Sequence, residues 1–129
     1  MEEILRQGRA RYPAGAGGVL LGQRGDSTTV EASRPGRPVA AGACAVPPVA
    51  EVREAEAAGA AKGLAAVGVW HSHPDGSAEP TPADVAGAPP GLVFLVVSIR
   101  GGLAAEWACW VPREGGKSLV PVIVRLMGS

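Results

Sequence analysis

Leu64-Ala65-Ala66-Val67-Gly68-Val69-Trp70-His71-Ser72-His73-Pro74 is the stretch on which the fold turns. Leu64 to Trp70 is an apolar run of strand length and reads as a buried strand that ends in His71-Ser72-His73-Pro74. Turn residues follow (Asp75, Gly76, Pro80), and then Thr81-Pro82-Ala83-Asp84 has the form of a helix start. Thr81 suits the N-cap, Pro82 the first helical position, and Asp84 the first turn. The only two histidines of the chain sit here, two positions apart. A strand repeats every two residues, so at its end both rings point to one side. Their ring nitrogens can converge on one ion at ~2.0–2.1 Å, and Asp84 can fold back as a third ligand. Three N/O ligands with a fourth position open describe a catalytic zinc site rather than a closed structural one. The plainer alternative is a surface loop with two exposed histidines.

Working outward, residues 2 to 11 read as a short helix, stopped by Tyr12-Pro13. Gly18 to Gly22 is a buried strand, Gln23 to Asp26 a hairpin turn, and Ser27 to Ala32 the returning strand. Ser33 to Pro38 is a loop by composition, and residues 39 to 46 read as a third strand. Pro47-Pro48 opens a helix over Val49 to Lys62, with Gly63 as its C-terminal cap. Downstream, Gly91 to Ile99 is a strand, Gly101-Gly102 a turn, and Leu103 to Val111 the return. Glu114 to Lys117 forms a last turn before a closing strand, Leu119 to Leu126. Strands alternate with helices but hairpins outnumber βαβ crossovers. The expected class is α/β, a mixed β-sheet flanked by helices.

The chain is 129 residues long with 47% hydrophobic residues, the size of one domain with one core, so a single domain over residues 1–129 is expected. Its 19 Gly and 12 Pro fall between apolar runs rather than in a repeat, and so mark turns. Twelve basic residues balance twelve acidic ones with no basic block, which argues against nucleic acid as a partner. No apolar stretch approaches the ~20 residues of a membrane span, and the charged N-terminus has no signal-peptide core. A cytoplasmic protein is expected. Cys44 and Cys109 lack the CxxC spacing and read as reduced core thiols, with a disulfide or a nucleophile as alternatives.

The motif resembles the signature of the JAMM (MPN-plus) zinc metallopeptidases: His-x-His, ten residues, then Asp, with a Ser or Thr three before the Asp. Gly68-Val69-Trp70-His71-Ser72-His73-Pro74-Asp75-Gly76 looks like the small prokaryotic members. Tyr12 to Gly22 and Gly91 to Gly102 resemble the family's first strand and the strand and turn after the metal helix, so nearly the whole chain is covered. The resemblance implies a cytidine-deaminase-like architecture and one Zn²⁺ per chain, held by His71, His73 and Asp84. It implies that Thr81 hydrogen-bonds the fourth ligand or the oxyanion, beside the plainer role of helix cap. It further implies hydrolysis of the amide after the C-terminal Gly-Gly of a ubiquitin-like or sulfur-carrier protein. The short segment after Asp84 leaves no long insertion to grip a folded ubiquitin, so a carrier tail in an open groove, added to a sheet edge, suits the chain better. The oligomeric state stays open, a homodimer among the alternatives.

One departure matters. The family's glutamate, base for the water and acid for the leaving amine, falls at Gly15, and the preceding position is Ala14. A positioned proton-transfer group contributes typically ~10²–10⁴-fold. A surrogate carboxylate is one resolution. Glu31 is the best placed if the hairpin centres near Arg24, because it then sits across from about Gly17. Glu51, Glu54 and Glu56 read as coating a helix face, and Asp75 and Glu79 as lining the rim of the metal loop. The other resolutions are a zinc-containing binding module, a slow peptidase, or an engineered loss of the glutamate. A deaminase needs His-x-Glu and a Cys pair, which Trp70 to Asp84 lacks.

Overall fold

The structure is a computed structural model that describes residues 2–24, 28–38, 46–87, 91–112, 119–122 and 125–126. In chain order the elements are α1 (Glu2–Arg11), β1 (Gly17–Gln23), β2 (Thr29–Pro35), α2 (Val49–Ala60), β3 (Ala65–Pro74), α3 (Pro82–Gly87), β4 (Val93–Arg100), β5 (Leu103–Pro112), β6 (Leu119–Val122) and β7 (Arg125–Leu126). The strands form one mixed sheet of seven in the order β6-β5-β4-β3-β1-β2-β7, flanked by helices as the sequence implied.

β3 is the centre of this sheet, antiparallel to β1 and parallel to β4. Both β3 and β4 are buried almost end to end, as strands covered on both faces must be. One face carries Leu20, Val67, Trp70, Leu95, Val97 and Ile99 against Ile4 of α1. Helix α1 approaches so closely that a Cβ on Gly8 would stand 3.0 Å from Ile99 Cδ1. The opposite face carries Val19, Leu21 and Ala66 under Val52 and Ala55 of α2, and Val69, Phe94 and Val96 under Ala78 of the β3–α3 loop. Val67 is skipped in the pairing of β3 with β1, where Leu20 faces Gly68 and Leu21 faces Ala66. This bulge resets the alternation, so that Val67 and Trp70 share a face while Val69 and His71 take the other.

Several expectations change. β3 begins at Ala65, one residue later than expected, and ends as expected in the histidine motif at Pro74, where β4 pairs with His71, Ser72 and His73 as far as Ile99. β2 continues to Pro35 through residues that read as loop, since Ser33, Arg34 and Pro35 pair with Leu20, Val19 and Gly18. Cross-strand hydrogen bonding there overrides the local turn composition, and Pro35, at the strand's end, forfeits little. Helix α2 ends two residues early, and Gly63 takes the left-handed φ of 72° just beyond it. The single closing strand is two: β6 pairs with β5, whereas β7 pairs with β2 at the other margin of the sheet. The expected strand over 39 to 46 has only Val46 among the described residues, outside any strand, and the turn at 114–117 lies outside them. Cys44 also lies outside them. Cys109 is a free thiol, and burial pushes its pKa up to about 11. Among the described residues no helix is long and apolar enough to cross a membrane.

Candidate metal centre

His71 and His73 project from β3 on the α2 face. The ring of His71 stands nearly perpendicular to Phe94, centroids 4.8 Å apart, and its residue is 3% exposed. Behind the histidines, Ser72 turns to the other face, where its Oγ accepts the Ala16 N–H at 2.8 Å and its own N–H reaches Ala16 O at 2.8 Å. The middle residue of the motif thus bolts the segment before β1 onto the strand that carries the histidines.

Asp84 arrives from α3. Thr81 Oγ1 accepts the Asp84 N–H at 3.2 Å, and Asp84 Oδ2 accepts the Thr81 N–H at 2.8 Å, a reciprocal cap of the first turn. The cap turns the Asp84 carboxylate back over β3. Its Oδ1 lies 2.9 Å from His71 Nε2 and its Oδ2 lies 2.8 Å from His73 Nε2, while the two Nε2 atoms are 2.9 Å apart. The three residues form a cluster with the composition and proximity of a metal site.

The donor chemistry fits a cation. His73 Nδ1–H donates to Ser77 O at 2.7 Å, which leaves the Nε2 lone pair aimed at the cluster. His71 Nε2, His73 Nε2 and an Asp84 oxygen can each offer a lone pair, so one cation can be shared by all three at once. Among the described residues His71 Nδ1 is buried without a hydrogen-bond partner, so no second contact fixes that ring in another role. Burial disfavours a charge on His71 and outweighs the pull of Asp84, so its pKa is lowered. Burial also opposes a charge on His73, but the Asp84 carboxylate and the Ser77 carbonyl prevail and raise its pKa. Burial raises Asp84, yet the hydrogen bonds of His71, His73 and the Thr81 amide hold it far below the usual carboxylate range. Such opposed shifts within one cluster are typical of functional sites.

Thr81 is therefore part of this site through its cap. Its hydroxyl spends one lone pair on Asp84 and keeps its hydrogen for another acceptor. Gly15 is buried, and its φ is not in the left-handed region. Gly17 pairs with His71, and Ala16 bonds Ser72, so Gly15 lies two residues before the end of β1 that runs beside the histidines.

Glu31 does not reach the cluster as a surrogate carboxylate. Gln23 pairs with Thr29, so Arg24 is not the centre of the β1–β2 connection, and Glu31 falls in a bulge between Leu21/Ala32 and Gly22/Val30. It is exposed at the far end of β1 from the histidines. The residue across from Gly17 is Gly36, whose N–H donates to Gly17 O at 2.8 Å. Glu51 does not merely coat a helix, since its Oε1 accepts the Arg37 N–H at 2.8 Å, and Glu54 pairs with the Arg37 guanidinium at 3.4 Å. Glu56 accepts the Ala66 N–H at 3.3 Å. Glu79 is exposed on the loop. Two groups escaped the sequence reading: Glu106, which accepts the Ala78 N–H at 3.2 Å, and Trp110, whose indole N–H donates to Ala78 O at 3.2 Å. Both act on the metal loop from β5, and only the β4–β5 register brings them there, Glu106 opposite Ser98 and Ser98 opposite His73.

The chain has similar proteins. The family of prokaryotic homologs of the JAB domain matches residues 1–112. A protein from Salinibacter ruber, solved in solution, superposes with a TM-score of 0.74 at 29% identity, over 97% of this chain and 86% of that one. A protein from Desulfitobacterium hafniense, also solved in solution, gives a TM-score of 0.82 at 26% identity, over 100% of this chain and 89% of that one. A JAB1/MPN domain protein from Archaeoglobus fulgidus, seen in a crystal, shares the fold with a TM-score of 0.60 at 16% identity, over 98% and 89%. A comparison with curated proteins returns no match.

Proposed function

Because the chain belongs to the prokaryotic homologs of the JAB domain, we propose that it is a zinc-dependent peptidase or isopeptidase of the JAMM type. Its substrate on this reading is the amide after the C-terminal Gly-Gly of a ubiquitin-like or sulfur-carrier protein, presented as an extended tail. The observation that carries the reading is the convergence of His71 Nε2, His73 Nε2 and the Asp84 carboxylate within 2.9 Å of one another. Zn²⁺ held there would polarise the amide carbonyl and acidify a water.

The chain's own groups divide the remaining work. Asp84 and the two imidazoles would hold the ion, the carboxylate offsetting one of its two positive charges. Ser77 O fixes the tautomer of His73. The Thr81 hydroxyl, held at the helix start, donates its free hydrogen to charge developing on the carbonyl oxygen. Proton transfer to the leaving amine has no side chain at Gly15 to perform it, and this favours slow turnover.

The same glycine supports a second reading, a zinc-containing module that binds a carrier tail without cleaving it. Metal analysis joined to cleavage of a carrier–peptide fusion through Gly-Gly separates the two. Zinc near one per chain with release of the peptide supports the peptidase. Zinc with saturable tail binding and no release supports the module. Protein that takes up no zinc sinks both.

A further inference from the structure

Asp75 directly follows the strand that carries the histidines and contributes nothing to the metal cluster, yet it is the most heavily tied residue of the loop. It is the one non-glycine among the described residues with a left-handed backbone, φ 60°. Tyr12 O–H donates to its carboxylate, 2.7 Å from Oδ2 and 2.9 Å from Oδ1. Gly101 N–H donates to the same Oδ1 at 2.8 Å, and the Asp75 N–H donates to Ile99 O at 2.6 Å. Three segments far apart in sequence meet at this side chain: the end of α1, the start of the metal loop, and the turn between β4 and β5.

What lies on either side gives the contact its consequence. Upstream of Gly15 by three positions, Tyr12 anchors the segment that leads into β1, and Ser72 holds that segment at its other end through Ala16. Downstream of Asp75, the loop folds back on His73. Gly76 comes so close that a Cβ there would stand 3.2 Å from His73 Cβ, Ser98 O–H donates to Gly76 O, and Ser77 O takes the His73 Nδ1–H. The left-handed turn at Asp75 sets the direction of this descent. An L residue rarely holds that conformation unless its surroundings fix it.

We propose that Asp75 is a positioning residue of the metal centre: bridged to Tyr12 and Gly101, its carboxylate holds the β3–α3 loop in the one path that presents His73 Nε2 to Asp84, and fixes the segment bearing Gly15 that leads into β1. The proposal rests on the metal reading above for its effect on an ion, and on the loop contacts alone for its effect on the fold. A merely structural tie would cost stability and leave the metal environment as it is.

The test uses the full chain with Tyr12→Phe, Asp75→Gly and Asp75→Asn. Tyr12→Phe deletes one oxygen. Asp75→Gly keeps the backbone conformation at ease and deletes the bridge. Asp75→Asn tolerates the left-handed backbone and keeps an acceptor for Gly101. Zinc affinity should fall about tenfold or more in the first two, the scale of lost outer contacts at metal sites, and be partly rescued in the third. The visible spectrum of the cobalt(II)-substituted protein should change with it, and the double variant Tyr12→Phe/Asp75→Gly should lose no more than Asp75→Gly alone. Lowered melting temperature with unaltered zinc affinity and cobalt spectrum overturns the proposal. Amide exchange of residues 76–81 in metal-free protein supplies an arm that needs no ion. Faster exchange in both variants supports the hold on the loop even if the wild type takes up no metal, and unchanged exchange overturns it.

Discussion

Thr81 and Asp84 hold each other by exchanging hydrogen bonds, side chain to backbone in both directions, at 3.2 and 2.8 Å. The same Asp84 oxygen that accepts from Thr81 lies 2.8 Å from His73 Nε2. Helix initiation and presentation of the carboxylate are therefore one event, and a six-residue helix suffices because it only has to deliver its first turn.

Thr81→Ala should remove the cap and cost about 1 kcal/mol of stability, within the usual ~0.5–2 kcal/mol for a lost N-cap. Zinc affinity should fall in parallel, since nothing else in the first turn aims Asp84. Thr81→Ser should retain both. Thermal melts with and without zinc check this, and an Ala variant with wild-type affinity would separate the cap from the ligand.

Gly15→Glu should raise hydrolysis of a Gly-Gly-linked amide by about 10²-fold or more, the usual size of general acid–base catalysis. Gly15 has no left-handed φ that would bar a side chain, and it lies two residues before the end of β1 that pairs with His71. Glu31→Gln should leave the rate unchanged, because that residue is exposed at the far end of β1. Initial rates of zinc-loaded variants decide both statements.

Acidity should act oppositely on the zinc-free and zinc-loaded proteins. In the zinc-free protein the raised His73 pKa means that its pairing with Asp84 contributes fully below the ordinary value of 6.5 and is lost as pH rises through the folded value. In the zinc-loaded protein His73 must be neutral, so the ion's stabilisation is full above that folded value and shrinks as pH falls. Burial lowers the His71 pKa, so protons compete with the ion less at His71 than at His73. The increment in melting temperature given by zinc should therefore grow between about pH 6 and pH 8. An increment independent of pH would remove His73 from the ligand set.

Gly18→Ala should destabilise by about 1–3 kcal/mol or more, the range for overpacked cores. A Cβ there would stand 2.4 Å from Arg34 O and 2.5 Å from Trp70 Nε1. The backbone oxygen cannot move without breaking the β1–β2 pairing, and Trp70 is fully buried. Chemical denaturation measures the loss, and a neutral substitution would show that β2 can shift.

What the sequence made legible was local. The apolar runs gave β3 and β4, proline and glycine bounded α2, and the spacing of His71, His73 and Asp84 marked the cluster because all three lie within one strand-loop-helix unit. What it hid was set by pairing between distant segments. Glu31 lost its place to a bulge and a longer connection, neither written in the residues of the turn. Asp75 read as rim because its partner Tyr12 lies 63 positions away. Glu106 and Trp110 went unseen because only the β4–β5 register brings them over the loop. Ser33 to Pro35 read as loop because turn residues carry a strong local signal, which the hydrogen bonds of β1 overrule.

β6 and β7 stand at opposite margins of the sheet, yet only residues 123–124 separate them in the chain. Three peptide steps span at most ~11 Å, so the two margins must lie about that close. The seven strands consequently behave as a hoop that the final residues cinch. Strain on β6 is thereby passed to β7 and so to Thr29 and Val30 of β2, across from Gln23 and Gly22 at the end of β1 remote from the histidines. Loosening the last strands would slacken the whole circumference and expose two strand margins together, each a template for another chain.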